Sequence, residues 1–304
     1  MPTELEQRIK DWIVAVVGGD ARLRWAHHMP AATSSRLDAV DLMLDGKRVQ
    51  LVLRRFDDHE WLGMEPDLVA HEAAALAWAS NLNIAVPTLI AFDADGSECG
   101  VPATLTTKLP GETQLRPEDR AAWLSEMAAA AVEIHRLDAD GFPWNYRRYN
   151  AKVRLDVPRW SREQDAWRTA IEVVNKPAPR TRDTFIHRDF HPSNIVWQNG
   201  KVSGVVDWVN ACRGPAAIDV AWCRHNLANL YSVEMADEFL EAYADAAGSQ
   251  FTYDPYWDLM TVVELLPGPP KMYGGWKAEG FPIISDDVMR NRVDRYVASI
   301  VGRL

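Results

Sequence analysis

Apolar positions recur with helical spacing over residues 3–17, where Leu5, Ile9, Trp12, Ile13 and Val16 share one face. Thr3 and Glu6 have capping-box spacing, and Gly18-Gly19 supplies a stop. Two β-rich runs follow, Leu37 to Leu44 and Val49 to Phe56, joined by Asp45-Gly46. Asp-Gly between such runs is a strong hairpin signal. A helix is predicted from Pro66 to Leu82, with Pro66 suited to the first turn and Glu72 in the middle. Two further strand candidates, Thr88 to Phe92 and Val101 to Thr107, flank a turn containing Asp95-Gly96.

Beyond Leu109-Pro110-Gly111 the pattern changes and helices dominate. Pro117 opens one, with Leu124, Met127, Ala131 and Ile134 on its apolar side, and Ser161 opens another through Trp167, Ile171 and Val174. Further helices are expected over Pro215 to Leu230, Val233 to Ala247, Pro255 to Leu266 and Asp286 to Leu304. One β element interrupts them: Ile195 to Trp197 and Val202 to Val206, joined by Asn199-Gly200. The stretch Lys176 to Asp183 reads as a surface loop. The fold class is therefore α+β, an antiparallel sheet with a lone helix followed by a mainly helical part. The expected division is an N-terminal lobe over 1–107 and a C-terminal lobe over 108–304, with a hinge near 106–111 and a ligand cleft between the lobes.

Composition changes this picture little. A chain of 304 residues with 47% hydrophobic residues builds a sizeable core and is not disordered. A net charge of −10 argues against a nucleic-acid surface. Cys99, Cys212 and Cys223 form no CxxC and cannot all pair, which fits reduced thiols. Thr3, Glu4 and Glu6 stand where a signal peptide carries basic residues, and no run of about 18 apolar residues exists. No membrane partner is expected, and a cytoplasmic location is.

The chemistry concentrates between His187 and Asp207. In Phe185-Ile186-His187-Arg188-Asp189-Phe190-His191-Pro192-Ser193-Asn194 an apolar strand end runs into a loop carrying an acid, and an asparagine follows five residues later. The Asn-Gly hairpin then delivers Asp207 eighteen residues after Asp189. A loop of that length and a tight hairpin bring Asp189, Asn194 and Asp207 to one pocket. Magnesium takes oxygen ligands, one or two carboxylates among them, together with phosphate oxygens and water. Asn194 and Asp207 are the metal candidates, which leaves Asp189 to orient an acceptor hydroxyl and take its proton. A weak base suffices because phosphoryl transfer passes through a loose transition state.

His-Arg-Asp-x-x-x-x-Asn followed by a hydrophobic-hydrophobic-Asp strand resembles the catalytic and metal loops of protein kinases. Asp207-Trp208, in place of Asp-Phe-Gly, is more similar to the aminoglycoside phosphotransferase family, which includes choline and homoserine kinase relatives. There is no Ala-Pro-Glu downstream. Leu109-Pro110-Gly111-Glu112 resembles that family's stretch past the hinge, and Gly214-Pro215-x-x-Ile218-Asp219-Val220-Ala221-Trp222 its helix supporting the catalytic loop. The resemblance runs from about Leu37 to Tyr243 and is strongest over 185–222.

It implies a protein-kinase-like two-lobe fold and an O-phosphotransferase acting on a small hydroxyl-bearing molecule, with Mg²⁺ and ATP or GTP as cofactors. His187 and Asp219 become structural supports of the loop, Asp219 by accepting hydrogen bonds from its backbone. Arg54 stands where the family places a lysine, with Glu72 as its ion-pair partner, a departure because guanidinium and ammonium differ in geometry and reach. Ser34 and Ser35 lie in the phosphate-loop segment, His28 to Arg36, which holds no glycine. Thr107 and Leu109 complete the nucleotide-contact candidates.

Three other readings compete. His187, Asp189 and His191 form H-x-D-x-H, a pattern able to ligate zinc for hydrolysis, although no second histidine cluster supports it. The missing glycines and Arg54 also suit a kinase-like nucleotide binder without catalysis. The acceptor could equally be a metabolite, such as an amino alcohol or a sugar. On the acceptor side, the segment Tyr256 to Phe281 is the substrate-facing candidate, combining Trp257, Asp258, Glu264, Tyr273 and Trp276 with a Gly-Pro loop, and the loop Phe142 to Trp160 is second. From Asp219 onward the chain holds 13 acidic and 7 basic residues, a balance that an acidic wall for a polyamine would need.

Overall fold

The computed structural model describes residues 5–30, 35–151, 153–249 and 251–304. The first helix is α1 (Gln7–Val17), whose Ile9, Trp12 and Ile13 are buried. Thr3, and with it the capping-box pair, lies outside the described residues. Strands β1 (Arg22–Met29), β2 (Arg36–Leu44) and β3 (Lys47–Arg55) follow, then helices α2 (His59–Met64) and α3 (Leu68–Ala79), then β4 (Leu89–Asp93) and β5 (Ala103–Thr107). These strands form one antiparallel sheet in the order β1-β2-β3-β5-β4. The β2–β3 turn carries Asp45 and Gly46 at φ 49° and 72°, the left-handed pair a two-residue hairpin requires. Helix α1 covers one face of the sheet, with Leu5, Ile9, Trp12 and Ile13 in one cluster with Leu42, Leu51, Leu53 and Leu105.

Strand β1 is absent from the sequence expectation. Half of its residues are arginine or histidine and only Ala26 is buried, so this edge strand carries a weak apolar signature. Its pairing with β2 sets Met29 opposite Leu37, and residues 31–34 of the expected phosphate loop lie outside the described residues. Helix α2 was not anticipated either; it is a short turn capped by Asp58, which accepts from the N–H groups of Glu60 and Trp61.

The C-terminal lobe comprises β6 (Glu112–Thr113), α4 (Arg120–Arg136), α5 (Gln164–Val174), β7 (Asp183–Ile186), β8 (Ile195–Gln198), β9 (Lys201–Val205), β10 (Cys212–Pro215), α6 (Ala217–Leu230), α7 (Val233–Ala247), α8 (Tyr256–Glu264), α9 (Gly274–Ala278) and α10 (Asp286–Val301). Pro215 ends a strand where the sequence placed a helix start, because residues 212–215 pair with β7. Strands β6, β8 and β9 make a second small sheet. The larger core buries the inner faces of α4 to α8 and α10 together with Phe185, Ile186, Ile195 and Trp208. Gly111, at φ 111°, lies so close to β8 that a Cβ would meet the Trp197 carbonyl oxygen at 2.5 Å. The architecture is a protein-kinase-like pair of lobes, an antiparallel sheet with its helix and a mainly helical body. No helix among the described residues is long and apolar enough to cross a membrane.

Candidate active site

Two crossings between the small sheets build the site. Residues 187–194 lead from β7 to β8, and residues 206–211 lead from β9 to β10. They are tied together, since Val206 N–H donates to the Asn194 carbonyl at 2.9 Å and His187 Nε2–H to the Val206 carbonyl at 2.8 Å. His187 Nδ1 accepts from the Asp189 N–H at 3.3 Å. Both its ring nitrogens are therefore engaged by backbone, which leaves none for a metal and removes the basis for the zinc reading.

Asp219, fully buried on α6, holds the loop from below. Its carboxylate accepts from the backbone N–H of His187 (2.7 Å) and Arg188 (2.6 Å), and from His135 Nε2 at 3.1 Å. Arg188 and Asp207 take left-handed conformations, φ 65° and 68°, which non-glycine residues hold only where the surroundings enforce them. For Asp207 the enforcement includes Trp208, fully buried, with its ring 4.6 Å from that of His187.

Asp189 is fixed by three donors. Trp222 Nε1–H reaches Oδ1 at 2.7 Å, His191 Nε2 lies 3.5 Å from the same oxygen, and Asn194 Nδ2 reaches Oδ2 at 3.2 Å. Burial opposes ionisation, but His191, His187 and Trp222 outweigh it and hold the carboxyl well below the usual range. The Asn194 amide nitrogen also donates to the Asp189 carbonyl at 2.9 Å, which turns the amide oxygen the other way. That oxygen and the Asp207 carboxylate are an amide and a carboxylate oxygen of the kind a hard dication takes.

Arg54 on β3 bridges Glu72 on α3, Nε to Oε1 at 3.3 Å, and Asp207, Nη2 to Oδ1 at 2.6 Å. Burial opposes its charge, yet Asp207 and Glu72 raise its pKa above the ordinary arginine value. Burial pushes the Glu72 carboxyl up, against the pull of Arg54 and of the Thr104 hydroxyl, which donates at 2.7 Å. Arg54 Nη1 is buried and has no partner among the described residues.

Two cavities meet here. One, of about 520 Å³, is lined by Arg54, Glu72, Thr107, Leu109, Asn194, Asp207, Met29 and Leu37. The other, of about 750 Å³, is lined by Asp189, Asp207, Arg188, Glu264, Trp222 and Trp276. Asp207 and Tyr273 line both. Ser34 lies outside the described residues, and Ser35 does not line the first cavity, because Met29 and Leu37 fill that stretch of wall.

Among the acceptor-side candidates, Glu264 and Trp276 line the second cavity, and so do Tyr149 and Trp160 from the expected second loop. Trp257 and Asp258 do not. Trp257 packs in the helical core, and Asp258 is buried against Arg224 (2.9 Å), Tyr253 (2.9 Å) and Tyr296 (2.7 Å). Helical spacing alone could not show that this end of α8 faces inward. Trp222, which the sequence motif includes but without a role, had a legible signal: it lies three residues after Asp219, on the same helix face. Tyr273, from the expected segment Tyr256 to Phe281, lines the acceptor cavity and the nucleotide cavity as well, while Glu279 borders the nucleotide cavity with no signal in the sequence.

The two-lobed body and the paired acidic loops define a kinase-like phosphotransferase fold. Residues 36–259 match the APH phosphotransferase enzyme family, and the chain belongs to that family. The homoserine kinase of Chelativorans sp. is 30% identical over 42% of this chain and 42% of its own length. Homoserine kinases of other bacteria match as well, and the chain spans about half or less of the length of these curated relatives. A macrolide 2'-phosphotransferase type I superposes with a TM-score of 0.60 at 17% identity, covering 99% of this chain and 98% of its own. An amicoumacin kinase solved in complex with AMP-PNP, Ca²⁺ and Ami superposes with a TM-score of 0.55 at 12% identity, over 90% and 86% of the two chains.

Proposed function

We propose that this chain is a Mg²⁺-dependent O-phosphotransferase that moves the γ-phosphoryl group of ATP or GTP to a hydroxyl of a small molecule. The carrying observation is that Asp207 lines both cavities, with Asn194 and Arg54 on one side and Asp189 on the other. The 520 Å³ cavity is the nucleotide side and the 750 Å³ cavity the acceptor side. The lobe boundary falls at the hinge near 106–111, where Thr107 and Leu109 border the nucleotide cavity.

In this reading Asp189 accepts a hydrogen bond from the acceptor hydroxyl and takes its proton as the O–P bond forms. The bond from the γ-phosphorus to the bridging oxygen breaks, and the nucleoside diphosphate leaves. Trp222 and Asn194 hold the carboxylate in one rotamer, so little reorganisation is left for the reaction itself. Arg54 faces the phosphates with Nη1, while Glu72 and Asp207 fix its plane. Asn194 and Asp207 hold the metal, which when bound neutralises phosphate charge. His187 and Asp219 keep the loop in place. A soluble-enzyme assay of nucleotide consumption against a panel of hydroxyl compounds tests the reading, with Asp189→Ala as control. Equal turnover by wild type and variant would refute it.

The homoserine kinase relatives favour a second reading, in which the acceptor is a small amino alcohol. The same panel separates the two.

A further inference from the structure

The acceptor cavity is chemically specific. At about 750 Å³ it has room for a drug-sized ligand. Its walls are aromatic, with Trp61, Tyr149, Trp160, Trp222, Tyr273 and Trp276 among them. Met64, Tyr149 and Leu265 also line it and are 69%, 64% and 44% exposed. Large apolar side chains left in water beside a cavity mark a site for apolar surface.

Charge is scarce there. Of the four lining carboxylates, Asp189 and Asp207 belong to phosphoryl transfer. Glu264, nearly buried, accepts from Arg188 (3.2 Å), the Tyr149 N–H (2.6 Å) and the Tyr146 hydroxyl (3.2 Å). Only Glu65 remains without an ion pair among the described residues, and the cations Arg188 and Lys271 share the wall with it. The surplus of acids beyond Asp219 therefore does not form an acidic wall. A polycation would give up hydration for at most one free carboxylate.

His191 stands beside Asp189, and the remaining polar side chains Asn210, His225, Asn226, Asn229 and Thr261 are neutral. Burial holds His225 down to about 4, so its ring is uncharged at neutral pH. Its Nε2 pairs with the Asn229 side-chain amide at 2.8 Å. His225 Nδ1 and Asn229 Oδ1 have no partner among the described residues, nor do the indole N–H groups of Trp160 and Trp276. Whichever way the Asn229 amide is turned, the pair leaves one donor and one acceptor over. Each such buried group costs about 1–3 kcal/mol until a partner meets it.

We infer that the acceptor is an uncharged, ring-bearing alcohol with mainly apolar surface, stacked among the indoles and hydrogen-bonded through a second polar substituent to His225 and Asn229. The inference rests on the phosphotransferase reading and narrows it. A polycationic aminoglycoside lacks its counter-charges here, and homoserine is too small to cover the aromatic wall. The chemistry is unchanged: the alcohol oxygen bonds to the γ-phosphorus, its proton passes to Asp189, and the nucleoside diphosphate departs.

The test uses the full chain with Mg²⁺ and ATP in three arms: uncharged polycyclic and aromatic alcohols, aminoglycosides, and homoserine. Phosphorylated acceptor is read by mass spectrometry and ADP by coupled assay. The best uncharged alcohol is expected to exceed every compound of the other arms in kcat/KM by about 100-fold, the scale of pocket discrimination. His225→Phe and Trp276→Ala are each expected to raise its KM about tenfold, at unchanged KM for ATP. His225→Asn, which keeps a donor and an acceptor, is expected to restore most of the loss. A higher kcat/KM for an aminoglycoside or for homoserine overturns the inference and leaves the phosphotransferase reading standing. Unaltered acceptor KM in both His225→Phe and Trp276→Ala overturns it as well. No ADP formation in any arm overturns both.

Discussion

Arg54 and Asp207 lie 153 residues apart in sequence and 2.6 Å apart in space, so one guanidinium joins the sheet lobe to the turn after β9. The same side chain reaches Glu72, and the Arg54 and Glu72 side chains are only 7% and 6% exposed. A buried charge stripped of its partner is expensive. Arg54→Met is expected to destabilise the protein by about 3–5 kcal/mol, read as a lower urea midpoint at unchanged slope. Arg54→Lys should recover much of that stability. An ammonium lacks the fixed fork and the reach with which the guanidinium meets Glu72 and Asp207, so its KM for nucleotide is expected to rise about tenfold.

Asp189 lines the acceptor cavity and not the nucleotide cavity. Asp189→Asn keeps the shape and removes the proton acceptor. Turnover is expected to fall by about 10²–10⁴-fold, the usual worth of a positioned acid–base group. Nucleotide affinity, measured by calorimetry with Mg²⁺ and a non-hydrolysable analogue, should stay within roughly twofold, because no nucleotide contact is lost.

Much of this site was legible along the chain because its signals are local. Asp45-Gly46 and Asn199-Gly200 dictate two-residue turns, and the second turn delivers Asp207 at a fixed distance behind Asn194. Asp219 was assigned beneath the loop through the family resemblance of its helix motif, and it accepts there from the His187 and Arg188 backbone. What stayed hidden depends on packing between distant elements. Edge strand β1 buries only one residue, so its period is silent. Trp257 and Asp258 look like surface aromatics and acids until Arg224 and two tyrosines close around Asp258. The segment holding Tyr273 and Glu279 returns from far along the chain to border both cavities, Tyr273 each of them and Glu279 the nucleotide side. The segment Tyr256 to Phe281 was expected on the acceptor side, but no spacing rule sets it against the nucleotide cavity as well.

Trp222 donates its indole N–H to Asp189 Oδ1 at 2.7 Å, and a donor to the charged form lowers a carboxyl pKa. Against the opposing effect of burial, Trp222 is one of the groups holding Asp189 ionised. Trp222→Phe keeps an aromatic ring and removes the donor, so the Asp189 pKa must rise. The acid limb of the kcat–pH profile is expected to move to higher pH, with kcat down roughly tenfold, the scale of one lost hydrogen bond to a charged group. A variant that merely loosened packing would lower kcat without moving the limb.

His225 provides a pH dependence of stability whose sign follows from its burial. Folding pushes its pKa from the ordinary 6.5 down to about 4, and burial is the cause. Between those values the unfolded chain binds a proton that the folded chain does not, so stability rises with pH across that window and is lost on acidification. The rings facing it, Trp222 and Tyr296, each 6.0 Å away, carry no charge to rescue an imidazolium. A shift of this size corresponds to about 3 kcal/mol. Urea titrations at pH 7 and pH 4 are therefore expected to show wild type losing about 3 kcal/mol more than His225→Phe over that interval. Equal losses in the two proteins would mean that His225 is already protonated in the folded state, and the neutral wall of the acceptor cavity would go with it.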